Sequence, residues 1–252
     1  VPGPLGTIRI QADQRRLYVL SRGHRAIFVY DCLNARLVDR FNLSAGIEPA
    51  VMELSADGRY AFVSDPAAGA VFKVDLASGE LLAQYRFGVR TGRLAVNDAA
   101  GLLAVSLPAS NQVYFLDIQT LRAVQTIPVG SNPAGLMFFA DSLYVAEKGD
   151  ATVGVFSLNS GQQRSKIAVG PGPDSFLSLD QDTAYVSQGE GRRLSVLSAG
   201  QHVAFRQIGP FLSPAEMGLS VRKGRVYVTS HRGNVVIVVD QESERVLSEI
   251  AV

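Results

Sequence analysis

Three histidines and one cysteine are the residues of this 252-residue chain best suited to chemistry. His24 and His231 each precede an arginine in a polar segment, and neutral imidazole with carboxylate suits zinc, copper or iron. Asp65 and Glu147 are the acidic residues that we expect nearest to them. Neither histidine belongs to a compact metal-binding motif, so solvated, hydrogen-bonding histidines are the favoured interpretation. A metal site formed by the two histidines with Asp65 or Glu147 is the alternative.

Nucleophilic and cofactor chemistry have weaker support in the sequence. Cys32 directly follows Asp31, and nothing adjacent in sequence would lower the pKa of its thiol, so we expect a small edge residue. A single cysteine excludes an internal disulfide, a cysteine-rich zinc site and covalently bound c-type haem. The Gly-Glu-Gly segment at 189–191 lacks the following helix that a phosphate cradle requires. No cofactor-binding residue and no catalytic residue is predicted.

Composition limits the class of partner. Apolar residues make up 47% of the chain and charged residues 19%, and the formal net charge is +1. No basic footprint for nucleic acid is present, so a nucleic-acid partner is not predicted. The longest apolar runs, such as 235–239, are far shorter than the roughly 20 residues of a transmembrane helix, so no membrane span is predicted.

A recurring aromatic-valine pair sets the arrangement of these residues. Successive copies are separated by 44, 42, 40, 41 and 42 residues, and a four-stranded propeller blade occupies about 40–45 residues. Five copies are Tyr18-Val19, Phe62-Val63, Tyr144-Val145, Tyr185-Val186 and Tyr227-Val228, and Ala104-Val105 occupies the remaining position. The spacing predicts one all-β domain over 1–252, a six-bladed β-propeller with four antiparallel strands per blade. The predicted blades are 1–43, 44–87, 88–129, 130–169, 170–209 and 210–252.

Each blade is predicted to contain four strands, called A to D. In the second copy strand A covers 50–55, an Asp-Gly turn follows at 56–59, strand C covers 70–75 and strand D covers 81–86. Other copies of strand C contain continuous apolar runs, such as 26–30 and 235–239, as expected for a strand buried on both faces, and strand D is mixed, as expected at a half-solvated edge. Short polar residues end strand C and are predicted to hydrogen-bond the next turn. They are Asp31, Asp75, Asp117, Ser157, Ser198 and Asp240.

The repeat resembles the YVTN-type β-propeller family. Residues 227–230 read Tyr-Val-Thr-Ser, and the linkers 129–133 and 169–173 have the form Val-Gly-x-x-Pro. The resemblance covers the whole chain and implies export to the periplasm or the cell exterior. It permits both binding and enzymatic roles and transfers no catalytic residue. The absence of tryptophan argues against Trp-Asp repeats and against tryptophan-docked quinoprotein propellers.

The two chain ends lead to a further expectation. The first four residues, Val-Pro-Gly-Pro, resemble the end of a linker, and the last residues belong to a strand D. We therefore expect contiguous blades and a ring that closes by packing alone. A chain trimmed from a longer propeller is the alternative. The missing initial methionine is compatible with removal of an N-terminal segment, either by signal cleavage or by cloning. Arg9 and Glu53 occupy matching places in two strands A and are predicted to pair.

The B-to-C loops and the D-to-A linkers are predicted to share one polar face. The predicted binding face contains Arg22, His24, Arg90, Glu147, Glu190, His231 and Arg232. We predict a non-catalytic binding or scaffold module that presents this face to a protein or small-molecule ligand. The alternative is a metal-assisted hydrolase, or the propeller subunit of a redox enzyme. Its site would lie at the central channel mouth, where closure at six blades would make His24 and His231 neighbours.

Overall fold

A computed structural model describes residues 5–11, 15–44, 46–230 and 232–251. In these ranges the chain forms 24 strands and one 3-10 turn at Val221–Lys223, and it contains no α-helix. The strands form six four-stranded antiparallel sheets, and strands consecutive in sequence are neighbours in every sheet. The predicted fold class, a six-bladed β-propeller, is confirmed. No helix in the described ranges is long and apolar enough to cross a membrane.

The first compact unit spans residues 1–127 and contains sheets 1 to 3. The first strands of consecutive sheets are neighbours in space. The strands are β1 Leu5–Ile10, β2 Arg16–Ser21, β3 Ala26–Asp31 and β4 Arg36–Asn42 in sheet 1, β5 Val51–Leu54, β6 Tyr60–Asp65, β7 Ala70–Asp75 and β8 Leu81–Arg86 in sheet 2, and β9 Leu94–Asn97, β10 Leu102–Leu107, β11 Gln112–Asp117 and β12 Ala123–Pro128 in sheet 3.

The second compact unit spans residues 128–252 and contains sheets 4 to 6. Here too the first strands of consecutive sheets are neighbours. The strands are β13 Pro133–Phe139, β14 Ser142–Glu147, β15 Thr152–Ser157 and β16 Gln163–Ala168 in sheet 4, β17 Pro173–Ser178, β18 Thr183–Gln188, β19 Arg193–Ser198 and β20 Val203–Ile208 in sheet 5, and β21 Pro214–Ser220, β22 Arg225–Ser230, β23 Val235–Asp240 and β24 Val246–Ala251 in sheet 6.

Burial differs between the middle and outer strands, as the apolar pattern predicts. All six residues of β7 are buried, and its bounds match the predicted strand C. In β24 all six residues are exposed, and β8 is exposed or half-buried throughout. The middle strands are covered on both faces, whereas the fourth strand is an edge in contact with water.

Neighbouring sheets within a unit bury their apolar faces against each other. Tyr18 and Ile27 of sheet 1 pack with Met52 and Val63 of sheet 2. In the second unit, Tyr144 of sheet 4 shares a buried cluster with residues of sheet 5. Burial of each large aliphatic side chain contributes about 1.5–3 kcal/mol. A sheet isolated from its neighbours would lose this contribution, so stability depends on stacking within the unit.

The strand-end residues stabilise the turns as predicted. Asp75 Oδ1 accepts hydrogen bonds from the backbone N–H groups of Ala77 at 2.7 Å and Ser78 at 3.1 Å. These two bonds lower the pKa of the Asp75 carboxyl, and the bond from Ala77 is the larger cause. Asp31, Asp117 and Asp240 act in the same way. At the other two positions, the hydroxyls of Ser157 and Ser198 accept longer bonds.

An ion pair links the first strands of sheets 1 and 2. Arg9 Nε donates a hydrogen bond to Glu53 Oε2 at 2.7 Å, and Arg9 Nη2 donates to Glu53 Oε1. The predicted pairing of these two residues is confirmed. Both side chains are partly shielded from solvent, and such a pair fixes the register of neighbouring strands more than it adds stability.

Candidate functional site

Each unit has a cleft at the end of its sheets that carries the linkers and the loops between second and third strands. We call this the loop end. The first cleft belongs to the first unit, has a volume of about 410 Å³, and is lined by Arg22, Gly23, Arg25, Glu48 and Pro49. The second cleft belongs to the second unit, has a volume of about 250 Å³, and is lined by Lys148, Gly189, Glu190, Arg192, Leu212, Ser213 and Arg232.

The first cleft is formed by a loop and a linker of opposite charge. Arg25 Nη2 lies 3.9 Å from Glu48 Oε1, and both side chains are largely exposed. At this distance and exposure the attraction is weak. His24 does not line this cleft, because its Nδ1 lies 3.1 Å from Ser21 Oγ and its ring meets Phe28 edge-on at 5.7 Å between ring centres.

Asp65 is buried at the end of β6 and holds the backbone together behind the first cleft. Its Oδ2 accepts a hydrogen bond from the Glu48 N–H at 2.8 Å, and its Oδ1 accepts one from the Ala68 N–H at 2.9 Å. The side chain therefore ties the linker into sheet 2 to the loop after β6. With one backbone donor on each oxygen and only 1% of the residue exposed, this carboxylate has a structural role.

Glu147 has the corresponding position at the end of β14 and is fully buried. Its Oε1 accepts a hydrogen bond from the Gly130 N–H at 2.8 Å, and its Oε2 accepts one from the Thr152 hydroxyl at 2.7 Å. The ammonium of Lys166 lies 3.5 Å from Oε2. A Cβ atom at Gly154 would collide with this carboxylate, so the glycine makes room for it.

The same strand position is buried in all six sheets. It is occupied by Ser21, Asp65, Leu107, Glu147, Gln188 and Ser230. The sequence-based prediction made Asp65 and Glu147 candidate metal ligands and put Glu147 on the binding face, and it assigned the position no structural role. The available signal was the repeat itself, because a polar residue follows the first member of the aromatic-valine pair by three positions in most copies.

The second cleft carries more positive than negative side chains. Lys148 Nζ lies 3.1 Å from Asp174 Oδ1, and Arg192 Nε donates a hydrogen bond to the Phe211 carbonyl oxygen at 3.3 Å. Arg232 is exposed, and within the described residues no ion pair involves it. Glu190 is the one acidic residue of the lining. Leu212 adds an aliphatic surface that is 44% exposed.

The other predicted site residues are dispersed. Arg90 is exposed in the linker between β8 and β9 and lines neither cleft. His231 lies outside the described residues, so its predicted proximity to His24 stays a prediction. Within the described ranges, no three His, Cys, Asp or Glu residues are grouped so that they could hold a metal ion. Cys32 is exposed.

His202 lies in the turn before β20, the outer strand of sheet 5, and contacts Tyr144. The Tyr144 hydroxyl donates a hydrogen bond to the Ala199 carbonyl oxygen at 2.7 Å, so its oxygen accepts from His202 Nδ1 at 2.6 Å. Burial raises the pKa of Tyr144 to about 12. The pair fastens the turn of sheet 5 to sheet 4 and lies away from the loop end.

Comparison with known proteins supports the fold. No protein-family model and no curated protein sequence matches the chain. The solved structure of U3-55K matches 100% of this chain and 83% of its own, with 12% sequence identity and a TM-score of 0.84. A functionally unknown protein from Desulfotomaculum acetoxidans DSM 771 matches 100% of this chain and 86% of its own, with 14% identity and a TM-score of 0.85. At these identities the likeness concerns the fold alone.

Architecture and comparisons together define the class of protein. The chain is a β-propeller, a fold that supports binding and scaffold modules in general. The function therefore has to be inferred from the side chains at the loop end of each unit.

Proposed function

We propose that this chain is a non-catalytic binding module that presents the loop ends of its sheets to a partner protein. One observation carries the proposal. Asp65 and Glu147, the acidic residues best placed for chemistry in the sequence, are buried and have hydrogen-bond donors on both carboxylate oxygens. The charged groups that stay exposed at the loop end are mainly arginines around open clefts.

The lining of the two clefts supports binding over acid-base catalysis. A general acid or base is a titratable group, in a recess, whose pKa is matched to its task. The titratable side chains of the clefts are arginines, one lysine and two glutamates, and the lysine is paired with Asp174. Arginine stays charged at all ordinary pH values, and its planar donor group recognises carboxylates in two-point contacts. Such a set is suited to recognition.

We further propose that the repeats are of the YVTN type and that the module works in the periplasm or outside the cell. The Tyr-Val-Thr-Ser segment at 227–230 forms the end of β22, and the Val-Gly-x-x-Pro linkers precede β13 and β17. The resemblance of these segments supports both statements. Expression with a periplasmic export signal and without one, followed by comparison of soluble yield, tests the location.

The binding proposal is tested by comparing ligand binding with turnover. A purified chain is screened against immobilised random dodecapeptides, and against chromogenic esters, lactones and phosphoesters with added Zn²⁺, Fe²⁺ or Cu²⁺. We expect saturable peptide binding and no turnover above that of an Asp65→Asn, Glu147→Gln double variant. Turnover that depends on stoichiometric metal and is lost on His24→Ala substitution would overturn the proposal.

A further inference from the structure

We propose that the second cleft binds an acidic, aliphatic-containing segment of a partner protein, with carboxylates on its arginines and an aliphatic side chain on Leu212. This inference rests on the proposed binding function and specifies its ligand. The cleft has a volume of about 250 Å³, which accommodates one or two side chains of such a segment.

Charge complementarity is the first argument. Lys148, Arg192 and Arg232 line the cleft with one acidic residue, Glu190, although the whole chain carries a net charge of only +1. Asp174 offsets part of the charge of Lys148. The two arginines keep their charge and supply a local excess of positive potential. A recess of one sign concentrates ligands of the opposite sign and speeds their association.

Preorganisation is the second argument. The Phe211 carbonyl oxygen accepts a hydrogen bond from Arg192 Nε, which holds the guanidinium. Among the residues that the structure describes, neither terminal amino group of Arg192 has a hydrogen-bond partner, so both can meet a ligand carboxylate. Phe211 itself is buried among residues of sheets 5 and 6, so the anchor is fixed. Lys148 is likewise held by Asp174. Side chains that are ordered before binding lose less entropy when the ligand arrives.

The exposed Leu212 favours a segment of protein over a simple anion as the ligand. Leu212 follows the buried Phe211 in the linker into sheet 6, and it is 44% exposed within a lining that is otherwise polar or glycine. Inorganic phosphate would satisfy the arginines and leave this leucine in water. A segment with an aliphatic side chain next to a carboxylate covers both, and burial of apolar surface adds to the ionic contact.

The first cleft supplies the matched comparison inside the same molecule. It also has two arginines, but Glu48 lies 3.9 Å from one of them and its lining contains no exposed aliphatic side chain. The acidic segment should therefore prefer the second cleft, and substitutions at Arg22 and Arg25 should leave its binding unchanged.

The test uses a fluorescein-labelled dodecapeptide with alternating glutamate and leucine at its centre, flanked by glycine and serine. By fluorescence anisotropy we expect a Kd on the order of tens of micromolar, as is usual for a small interface. Arg192→Gln and Arg232→Gln should each weaken binding about tenfold. Glu190→Gln should strengthen it about threefold, because it removes the one acidic side chain of the lining. A rise from 0.1 M to 1 M salt, which shortens the screening length from about 10 to 3 Å, should weaken binding severalfold.

Control variants and control probes keep the result interpretable. Arg193→Gln removes the same charge one residue away, outside the cleft lining, and should leave the Kd within twofold of the wild-type value. Peptides with leucine replaced by serine, or glutamate by glutamine, should each bind at least fivefold more weakly. Circular dichroism of every variant confirms that the sheets are intact.

Several outcomes would overturn the inference. Equal effects of Arg192→Gln and Arg193→Gln would show that no particular cleft is used. Competition by millimolar inorganic phosphate through the same arginines, with no preference for leucine, would indicate a simple anion site. Tighter binding of a single-stranded oligonucleotide would indicate nucleic acid. If the acidic peptide fails while other dodecapeptides of the screen still bind, this inference fails and the proposed binding function stands.

Discussion

The first and second clefts occupy equivalent places in two units of the same repeat, yet they present different chemistry. In the first cleft, Arg25 and Glu48 lie 3.9 Å apart, and their opposite charges partly offset each other. In the second, the lysine is paired to one side, two arginines stay available, and a leucine is exposed. The side chains behind the two linkers also differ, because Asp65 accepts a hydrogen bond from the linker of the first cleft, whereas the Ser230 hydroxyl donates one to the Leu212 carbonyl oxygen in the linker of the second. The two surfaces therefore differ in their exposed residues and in the buried side chains that hold their linkers.

The largest expected effect is the loss of stability when either buried carboxylate is removed. Glu147→Ala removes the acceptor of Gly130 and Thr152 and the partner of Lys166, and should lower the free energy of unfolding by about 3 kcal/mol. Asp65→Ala leaves two backbone donors without an acceptor and should cost about 2 kcal/mol. Urea denaturation measures both.

An exposed acid provides the control for this pair. Glu80→Ala should change the unfolding free energy by less than about 0.5 kcal/mol, because Glu80 is exposed. If Asp65→Ala and Glu147→Ala were as mild as Glu80→Ala, neither carboxylate would have the structural role assigned to it, and both would again be candidates for chemistry.

A second prediction concerns the space that Glu147 occupies. Gly154→Ala places a methyl group 2.6 Å from Phe156 Cε2 and against the Glu147 carboxylate, and should destabilise the chain by about 2 kcal/mol. Gly218→Ala in β21 is the matched control, because nothing lies within 4 Å of the added methyl group. Thermal unfolding compares the two. Equal midpoints would mean that the slot beside Glu147 is looser than its contacts indicate.

A third prediction concerns acid sensitivity at the opposite end of the sheets. A two-point hydrogen bond from Arg164 lowers the pKa of Asp141 to about 2, from an ordinary value of 3.8. Its folded-state pKa lies below its unfolded value, so the stability it contributes is present above about pH 4 and is lost as the pH falls towards 2. In Asp141→Asn this part of the acid sensitivity should disappear.

Urea midpoints of the wild type and Asp141→Asn, measured between pH 2 and 7, check the third prediction. The two curves should differ at neutral pH and converge near pH 2. Asp57, in the turn between the first two strands of sheet 2, has its pKa lowered mainly by the Ser55 hydroxyl and without a two-point arginine contact. Asp57→Asn should therefore alter the pH dependence of the urea midpoint less than Asp141→Asn does. A larger effect of Asp57→Asn would contradict this prediction.

The smallest expected effect lies in the first cleft. A double-mutant cycle of Arg25→Gln and Glu48→Gln should give a coupling free energy below about 0.5 kcal/mol, because both side chains are exposed and 3.9 Å apart. A coupling above about 1 kcal/mol would mean that a strong ion pair closes this cleft. The difference in available positive charge between the two clefts would then be larger.

The strands could be predicted because burial on two faces leaves a strong mark in the sequence. The run at 70–75, which is apolar apart from Lys73 and the closing Asp75, matches β7, and the period of about 42 residues matches the number of sheets. Arg9 and Glu53 could be paired because matching places in adjacent repeats become neighbours in space. These inferences need only periodicity and polarity.

The clefts could not be predicted in the same way, since they depend on side-chain direction at strand ends and in linkers. Alternation fixes direction inside a strand, but Asp65 ends one, and a shift of one residue turns a side chain from solvent to core. Phe211 and Leu212 are adjacent and similarly apolar, and only tertiary packing shows that the first is buried and the second exposed. Lys148 and Arg192 could be assigned to polar loops, but not to a common cleft.

The hydrogen-bonded set around Glu147 has a consequence for how such a chain grows. Gly130, Thr152 and Lys166, which contact its carboxylate, all lie within the same predicted repeat, 130–169. Tandem duplication of that segment would copy the acid together with all of its partners. A new blade would thus contain its buried carboxylate together with the groups that pair with it. Its exposed loop residues would be free to change immediately after the duplication.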